Sequence, residues 1–262
     1  MGRQIGDAWP IVEPMIYVGT ESEARRHRRA VRMPDGVEMH KAEWMDTGRD
    51  QRLSPTVFLV EHPPNYTVPT HFHRHNEYQV VVHGEGKLGT HELRPISVHY
   101  AGAYTGYGPL VAGPTGLHYF TLRAVFDPGP LYIVENRDQL RRGPKLQRYG
   151  ERCMVSSQEF LEKLTTVHSL DIIDATDDGG AVRLIHLPPG ATTEIASAQA
   201  SAGQFLMVLA GVLVHNGREL KKWETVFLSQ DEAPQRVAAD IVGAQVLSMR
   251  LPPMAQAYCD AA

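Results

Sequence analysis

The 262-residue sequence has only two cysteines, Cys153 and Cys259, far apart in the chain. That is too few for a disulfide framework or a cysteine-rich zinc site. Long apolar runs are also missing. The longest, such as Phe205 to Leu209 and Val80 to Val82, fall far short of the roughly 20 residues that span a bilayer. The N-terminus, MGRQIGDAWPIVEP, lacks an apolar leader core, so a cytoplasmic protein is expected. Positive charge is not in excess: 26 basic residues face 30 acidic ones, a net charge of −4. This speaks against a nucleic-acid partner or a membrane surface. The basic residues Arg137, Arg141, Arg142, Lys145, Arg148 and Arg152 then read as a solvated linker. Phenylalanine is scarce at seven, whereas 23 glycines and 18 prolines favour many turns between short strands.

The pattern of strands and turns follows that composition. Residues Glu21 to Arg32 predict a short basic surface helix ended by Pro34 and Gly36. Strands are expected at Thr56–His62, at Tyr78–His83 stopped by Gly84-Glu85-Gly86, at Ser97–Tyr100 and at Tyr119–Phe126. The second half repeats the order. Leu59-Val60-Glu61-His62-Pro63-Pro64-Asn65 aligns with Leu184-Ile185-His186-Leu187-Pro188-Pro189-Gly190, and Tyr78–Gly84 resembles Phe205–Gly211. Two β-domains of one kind are expected: an N-terminal arm over 1–55, a first barrel over 56–126, a linker over 127–155, and a helix plus second barrel over 156–262. Ser156-Ser157-Gln158-Glu159 has the form of a helix cap, followed by an apolar stripe of Phe160, Leu161, Leu164 and Val167 that reads as core packing.

What the sequence has in abundance is histidine. Eight of its thirteen lie between His62 and His118. The densest group is His71-Phe72-His73-Arg74-His75-Asn76-Glu77. On a strand His71 and His73 point to one face, as two ligands of one metal must. Glu77 can add a carboxylate from the next strand, and His118 can close the site from a later one. Imidazole and carboxylate together suit a divalent transition metal.

The spacing Asn65-x5-His71-x-His73-x3-Glu77-x6-Gly84 resembles the first motif of the cupin superfamily, with Asn65 in place of its first glycine. Pro114-x-Gly116-x-His118 resembles the second motif, shortened by one residue and without its downstream Asn. The resemblance is strong over about 55–126 and weak over about 182–251, which makes the chain similar to a bicupin. It implies a mainly β fold of two tandem jelly-roll barrels (double-stranded β-helices) with a few short helices. It further implies a metal held by His71, His73, Glu77 and His118, with iron foremost and Mn, Ni or Zn as alternatives. Glu77 would be a ligand or a catalytic base. A second register, His73, His75 and Gln79, also fits, but the first supplies a carboxylate and places Gly84 directly after the strand. Gln79 and His83 share the strand face of Glu77 and are candidate substrate contacts. So are Tyr104 and Tyr107 in a glycine-rich loop, unless these tyrosines simply pack on the rim. In the second repeat Ala196, Ala198 and Gln204 replace the ligands, so that barrel is expected to be structural.

The expected function is a metal-dependent oxygenase, dioxygenase-like, acting on a small oxygenated or aromatic molecule. The alternatives are a non-redox isomerase, lyase or decarboxylase, or a non-catalytic small-molecule-binding protein of the same fold. A homodimer is expected, with the 1–55 segment packing across the barrels.

Overall fold

The computed structural model describes residues 15–33, 35–151 and 153–259. Pro34, Arg152 and the first fourteen residues of the expected arm lie outside the described residues. The described residues begin with β1 (Ile16–Gly19), α1 (Glu21–Arg26), β2 (Arg29–Arg32), β3 (Glu38–Asp46) and β4 (Thr56–His62). There follow β5 (Thr67–Val68), β6 (His71–Phe72), β7 (Glu77–Leu88), β8 (His91–Leu93), β9 (Val98–Ala101) and β10 (Leu110–Arg123). The middle of the chain holds β11 (Leu131–Tyr132), α2 (Ile133–Asn136), β12 (Gln147–Gly150) and α3 (Gln158–Glu162). Next come β13 (His168–Ile173), β14 (Ala181–Leu187), β15 (Thr192–Ile195) and β16 (Gln204–His215). β17 (Arg218–Leu220), β18 (Thr225–Leu228), β19 (Gln235–Arg250) and α4 (Gln256–Cys259) complete it. The fold is mainly β, as expected, and among the described residues no helix is long and apolar enough to cross a membrane.

Two antiparallel sheets carry the repeat. The first runs β12-β9-β7-β10-β4-β3-β2, with β5 on β10 and β8 on β7; the second runs β1-β18-β16-β19-β14-β13, with β15 on β19 and β17 on β16. The likeness extends to irregularities. Val82 is an extra residue between the pairs Tyr119–Val81 and His118–His83, and Leu209 is an extra residue between Val208–Val246 and Ala210–Gln245. Just beyond each bulge lies a glycine with positive φ, Gly84 at 76° and Gly211 at 71°. A Cβ on either would stand 2.0 Å from a backbone oxygen, that of Gly116 or Gly243. Only glycine permits this crossing of chains. The glycines therefore turn the strand without ending it, and β7 continues through Gly84-Glu85-Gly86 to Leu88 instead of stopping at His83.

The N-terminal strands and the segment between the barrels are shared out between the two sheets. β1 pairs with β18 of the second sheet, while β2 and β3 extend the first. β12, from the segment read as linker, pairs with β9 of the first sheet. The expected helix over 21–32 is cut short at Arg26, because Arg29–Arg32 pairs with β3 and that pairing overrides local preference. α3 is capped as expected, Ser157 Oγ accepting from the Phe160 amide at 3.2 Å. Of its stripe only Leu161 is fully buried; Phe160 and Val167 are exposed at 49% and 39%.

Alternation along β7 and β10 divides two environments. Tyr78, Val80, Phe120 and Leu122 face the second barrel, where they meet Phe205, Met207, Phe227 and Met249 in one continuous core. Each such fully buried side chain contributes roughly 1.5–3 kcal/mol. The intervening residues, among them Gln79, Val81, Tyr119, Thr121 and Arg123, face the interior of the first barrel. The second barrel's interior is filled by Leu206, Val208, Leu213, Val226, Val237 and Val246.

Candidate functional site

The first barrel encloses a cavity of about 330 Å³. His71 and His73 both reach it from β6 and the residue that follows. β6 is held in place by its pairing with β11 and by reciprocal backbone hydrogen bonds between His71 and Tyr107, at 3.1 and 2.9 Å. The two rings meet edge to face with centroids 5.4 Å apart. His71 Nδ1 lies 2.8 Å from the Pro69 carbonyl oxygen, an acceptor, so Nδ1 carries the proton and Nε2 is left bare. Burial and the neighbouring His73 lower the His71 pKa to about 4. His73 Nδ1 lies 2.9 Å from Asp127 Oδ1. Asp127 also accepts from the backbone amides of Arg74 and Gly129, at 2.9 Å each. Burial opposes its ionisation, but the His73 hydrogen bond and the Arg123 charge hold it well below the carboxylate range.

Glu77 opens β7 and is fully buried. Its Oε2 accepts from Arg123 Nε at 2.7 Å and from Nη2 at 2.5 Å, and its Oε1 accepts from the Tyr107 hydroxyl. Burial pushes this carboxyl up, yet Arg123, His73 and Tyr107 bring it below its ordinary value. Arg123 Nη2 stands 3.1 and 3.2 Å from the two ring nitrogens of His73, so the guanidinium lies against that ring. Gln79 Nε2 donates to the Tyr107 hydroxyl at 3.1 Å, and His99 Nδ1 lies 2.9 Å from Gln79 Oε1.

Aromatic and apolar side chains form much of the remaining wall: Phe58, Tyr119, Phe126, Tyr132, Met33 and Met39. At the mouth, cations and anions alternate. Lys41 pairs with Glu43 at 3.0 Å, Arg29 with Glu43 at 3.1 Å and Arg49 with Asp46 at 2.6 Å. His62 also lines the cavity, 3.2 Å from the Tyr119 hydroxyl, with its Nδ1 buried and without a hydrogen-bond partner among the described residues.

Of the residues expected at a site, the structure brings together His71, His73, Glu77, Gln79 and Tyr107. It places three elsewhere. His118 lies across the strands from Glu61 and His83, its ring 4.6 Å from that of His83, on the outer face of the barrel. The reason is alternation: Tyr119 points inward, so its neighbour cannot. His83 is turned outward by the bulge at Val82, which reverses the faces beyond it. Tyr104 packs against Phe72 and Tyr258 in a separate apolar cluster. His75 sits in the bend before β7 and is not in the cavity lining.

The site also contains residues that the sequence reading passed over: Tyr119, Arg123, Asp127, His62 and His99. Counted with the full spacing, Pro114-x-Gly116-x2 ends on Tyr119, and four residues on is Arg123. That signal was available. Asp127 had none, since it belongs to the segment read as linker.

These positions allow a test of the expected metal. His71 and His73 fit, each with its Nδ1 side held by an oxygen acceptor, as metal-bound imidazoles usually are. The other two positions do not. Glu77 has both oxygens committed to Arg123 and Tyr107, and Tyr119 stands where the inward histidine was expected. Among the described residues, no group of three or more His, Cys, Asp or Glu side chains is placed to hold a metal ion. The expected centre of three histidines and one glutamate does not fit this arrangement.

No family model matches the sequence, and no curated protein matches it. Solved structures do. A candidate dioxygenase from Nostoc punctiforme superposes with a TM-score of 0.58 at 13% identity, covering 91% of this chain and 83% of its own. The bacterial pirin of Escherichia coli in complex with nickel(II) gives 0.54 at 15%, covering 92% and 100%. A mutant of salicylate 1,2-dioxygenase from Pseudoaminobacter salicylatoxidans gives 0.53 at 14%, covering 92% and 85%. At these identities the likeness concerns the fold, and with the repeated barrels it is plain: the chain has the two-barrel cupin fold.

Proposed function

We propose that the chain is a cupin enzyme whose working site is the first barrel and whose substrate is a small oxygenated or aromatic molecule. One observation carries this reading: two barrels of the same build differ in that the second is packed with aliphatic side chains and the first holds an open cavity. That cavity has hydrogen-bonding groups at one end, in His71, His73, Gln79 and Arg123, and aromatic walls in Phe58, Tyr119, Phe126 and Tyr132. Convergent polar groups in a mostly apolar, preformed pocket are what binding a small molecule requires. The charges around it are balanced, which favours an uncharged or singly charged molecule with ring and oxygen functions. Glu77, the base expected from the sequence, has both oxygens bonded and acts by fixing Arg123 and Tyr107, and Gln79 and Tyr107 are candidate positioning groups. Calorimetric titration with a panel of phenols, hydroxybenzoates and keto acids tests the proposal. At least one is expected to bind with Kd at or below about 100 μM, and Thr121→Leu, which narrows the cavity, is expected to weaken it at least about tenfold. No binding by any member would count against it.

A second reading is an oxygenase working at a transition metal. The observation that favours it is the paired His71 and His73, both oriented through Nδ1. Purified protein carrying about one metal ion per chain would support it.

The proposal includes a homodimer. β2 and β13 end the two sheets, and exposed sheet edges are natural sites of pairing. Light scattering is expected to give twice the chain mass of 29.1 kDa; a monomer at all concentrations removes this part.

A further inference from the structure

We infer that the Arg123 guanidinium takes the place of the metal cation in the first barrel, and that this barrel works without a metal. The argument rests on charge and position. The interior presents two carboxylates, Glu77 and Asp127, and the two imidazoles His71 and His73. Such a set demands a cation, and here one is built into the chain. Arg123 is bonded twice to Glu77 Oε2, at 2.7 and 2.5 Å, and stands 3.1 Å from His73. It is 3% exposed, so its charge is compensated by these neighbours and not by water.

A metal would have to share that space. Adding a divalent ion between His73 and Glu77 would set two positive charges side by side in a medium of low dielectric. It would also have to take Glu77 from a guanidinium that, among the described residues, has no other carboxylate within ion-pair distance. The donor count points the same way. The β10 residues that line the cavity are Tyr119, Thr121 and Arg123, and none is an imidazole or carboxylate. The Tyr119 hydroxyl is turned to His62 at 3.2 Å, and burial raises its pKa, so it is a neutral phenol and a poor ligand. A molecule bound in the cavity would then meet fixed N–H and O–H donors. A guanidinium can polarise a carbonyl or hold an oxyanion through directed hydrogen bonds. This inference shares its location with the proposed enzyme site but is read without any substrate, so the two can fail separately.

The test is metal binding by the full-length protein. Purified in the presence of Fe(II), Mn(II), Ni(II) or Zn(II) and then dialysed, the wild type is expected to hold less than about 0.1 ion per chain and to show no metal-dependent change in Tm. The variant Tyr119→His/Arg123→Asn removes the built-in cation and supplies an inward imidazole. It is expected to bind about one Ni(II) or Zn(II) per chain and to gain Tm on adding it. Wild type carrying one ion per chain, lost in His73→Ala, overturns the inference. So does a folded double variant that takes up no metal. If the double variant does not fold, the wild-type stoichiometry decides alone.

Discussion

Arg123→Met is expected to lower stability by about 3–5 kcal/mol, the cost of leaving a buried carboxylate without its partner. Glu77 is fully buried, and two of its hydrogen bonds come from Arg123. Without the guanidinium that carboxylate must either protonate or draw in water, and the Tyr107 hydroxyl alone does not compensate it. Glu77→Leu should cost a similar amount, because Arg123 would then face only the more distant Asp127. The double variant Glu77→Leu/Arg123→Met should recover at least half of the summed loss, since the two costs have one origin. Urea unfolding of the four proteins checks this cycle. Additive losses, or a cost below about 1 kcal/mol for Arg123→Met, would show that the pair does not hold the barrel.

Acidification is the second large effect. Burial lowers the pKa of His62, His71 and His99 to about 4, against an ordinary 6.5. All three folded values lie below the unfolded one, so the unfolded chain takes up these protons first. The stability they contribute is fully present above pH 6.5 and is lost as the pH falls from 6.5 toward 4. Between pH 7 and pH 5 the loss is about 2 kcal/mol for each, or a fall in Tm on the order of 10 °C for a chain of this size. Asp127 and Glu77, held below their ordinary values, add to the loss only at lower pH, where they protonate. His99→Gln should remove about a third of the slope between pH 7 and 5 while leaving the loss below pH 4. Calorimetric melting from pH 7 to pH 3 measures both, and a Tm unchanged between pH 7 and pH 4 would contradict the buried neutral state of these rings.

Periodicity and turn residues were enough to expect strands at Thr56–His62 and along the apolar part of β7, because apolar runs bounded by Gly and Pro encode them locally. The repeat was legible for the same reason. Gly84 and Gly211 occupy corresponding positions because each lets two strands cross where no side chain fits. The strand Arg29–Arg32 was not legible, since its stability comes from pairing with β3, six to twelve residues away. Nor was the allotment of β1 and β12 to their sheets, which depends on where the two barrels bring their edges.

The candidate site divides along the same line. His71, His73 and Glu77 could be grouped from sequence because they share one short stretch of chain. Which residue of β10 joins them depends on the phase of that strand against β7, and a single inserted residue sets it. The bulge at Val82 and the alternation from Gly116 turn His83 and His118 outward and bring Tyr119 and Arg123 in. Asp127 reaches His73 across 54 positions of sequence, which no local pattern records. By itself, then, the sequence determined a β protein built twice, with its polar chemistry in the first half. Only the tertiary structure decided what that chemistry faces: a buried arginine in the place expected for a metal, because strand register, not residue count, selects which side chains share an interior.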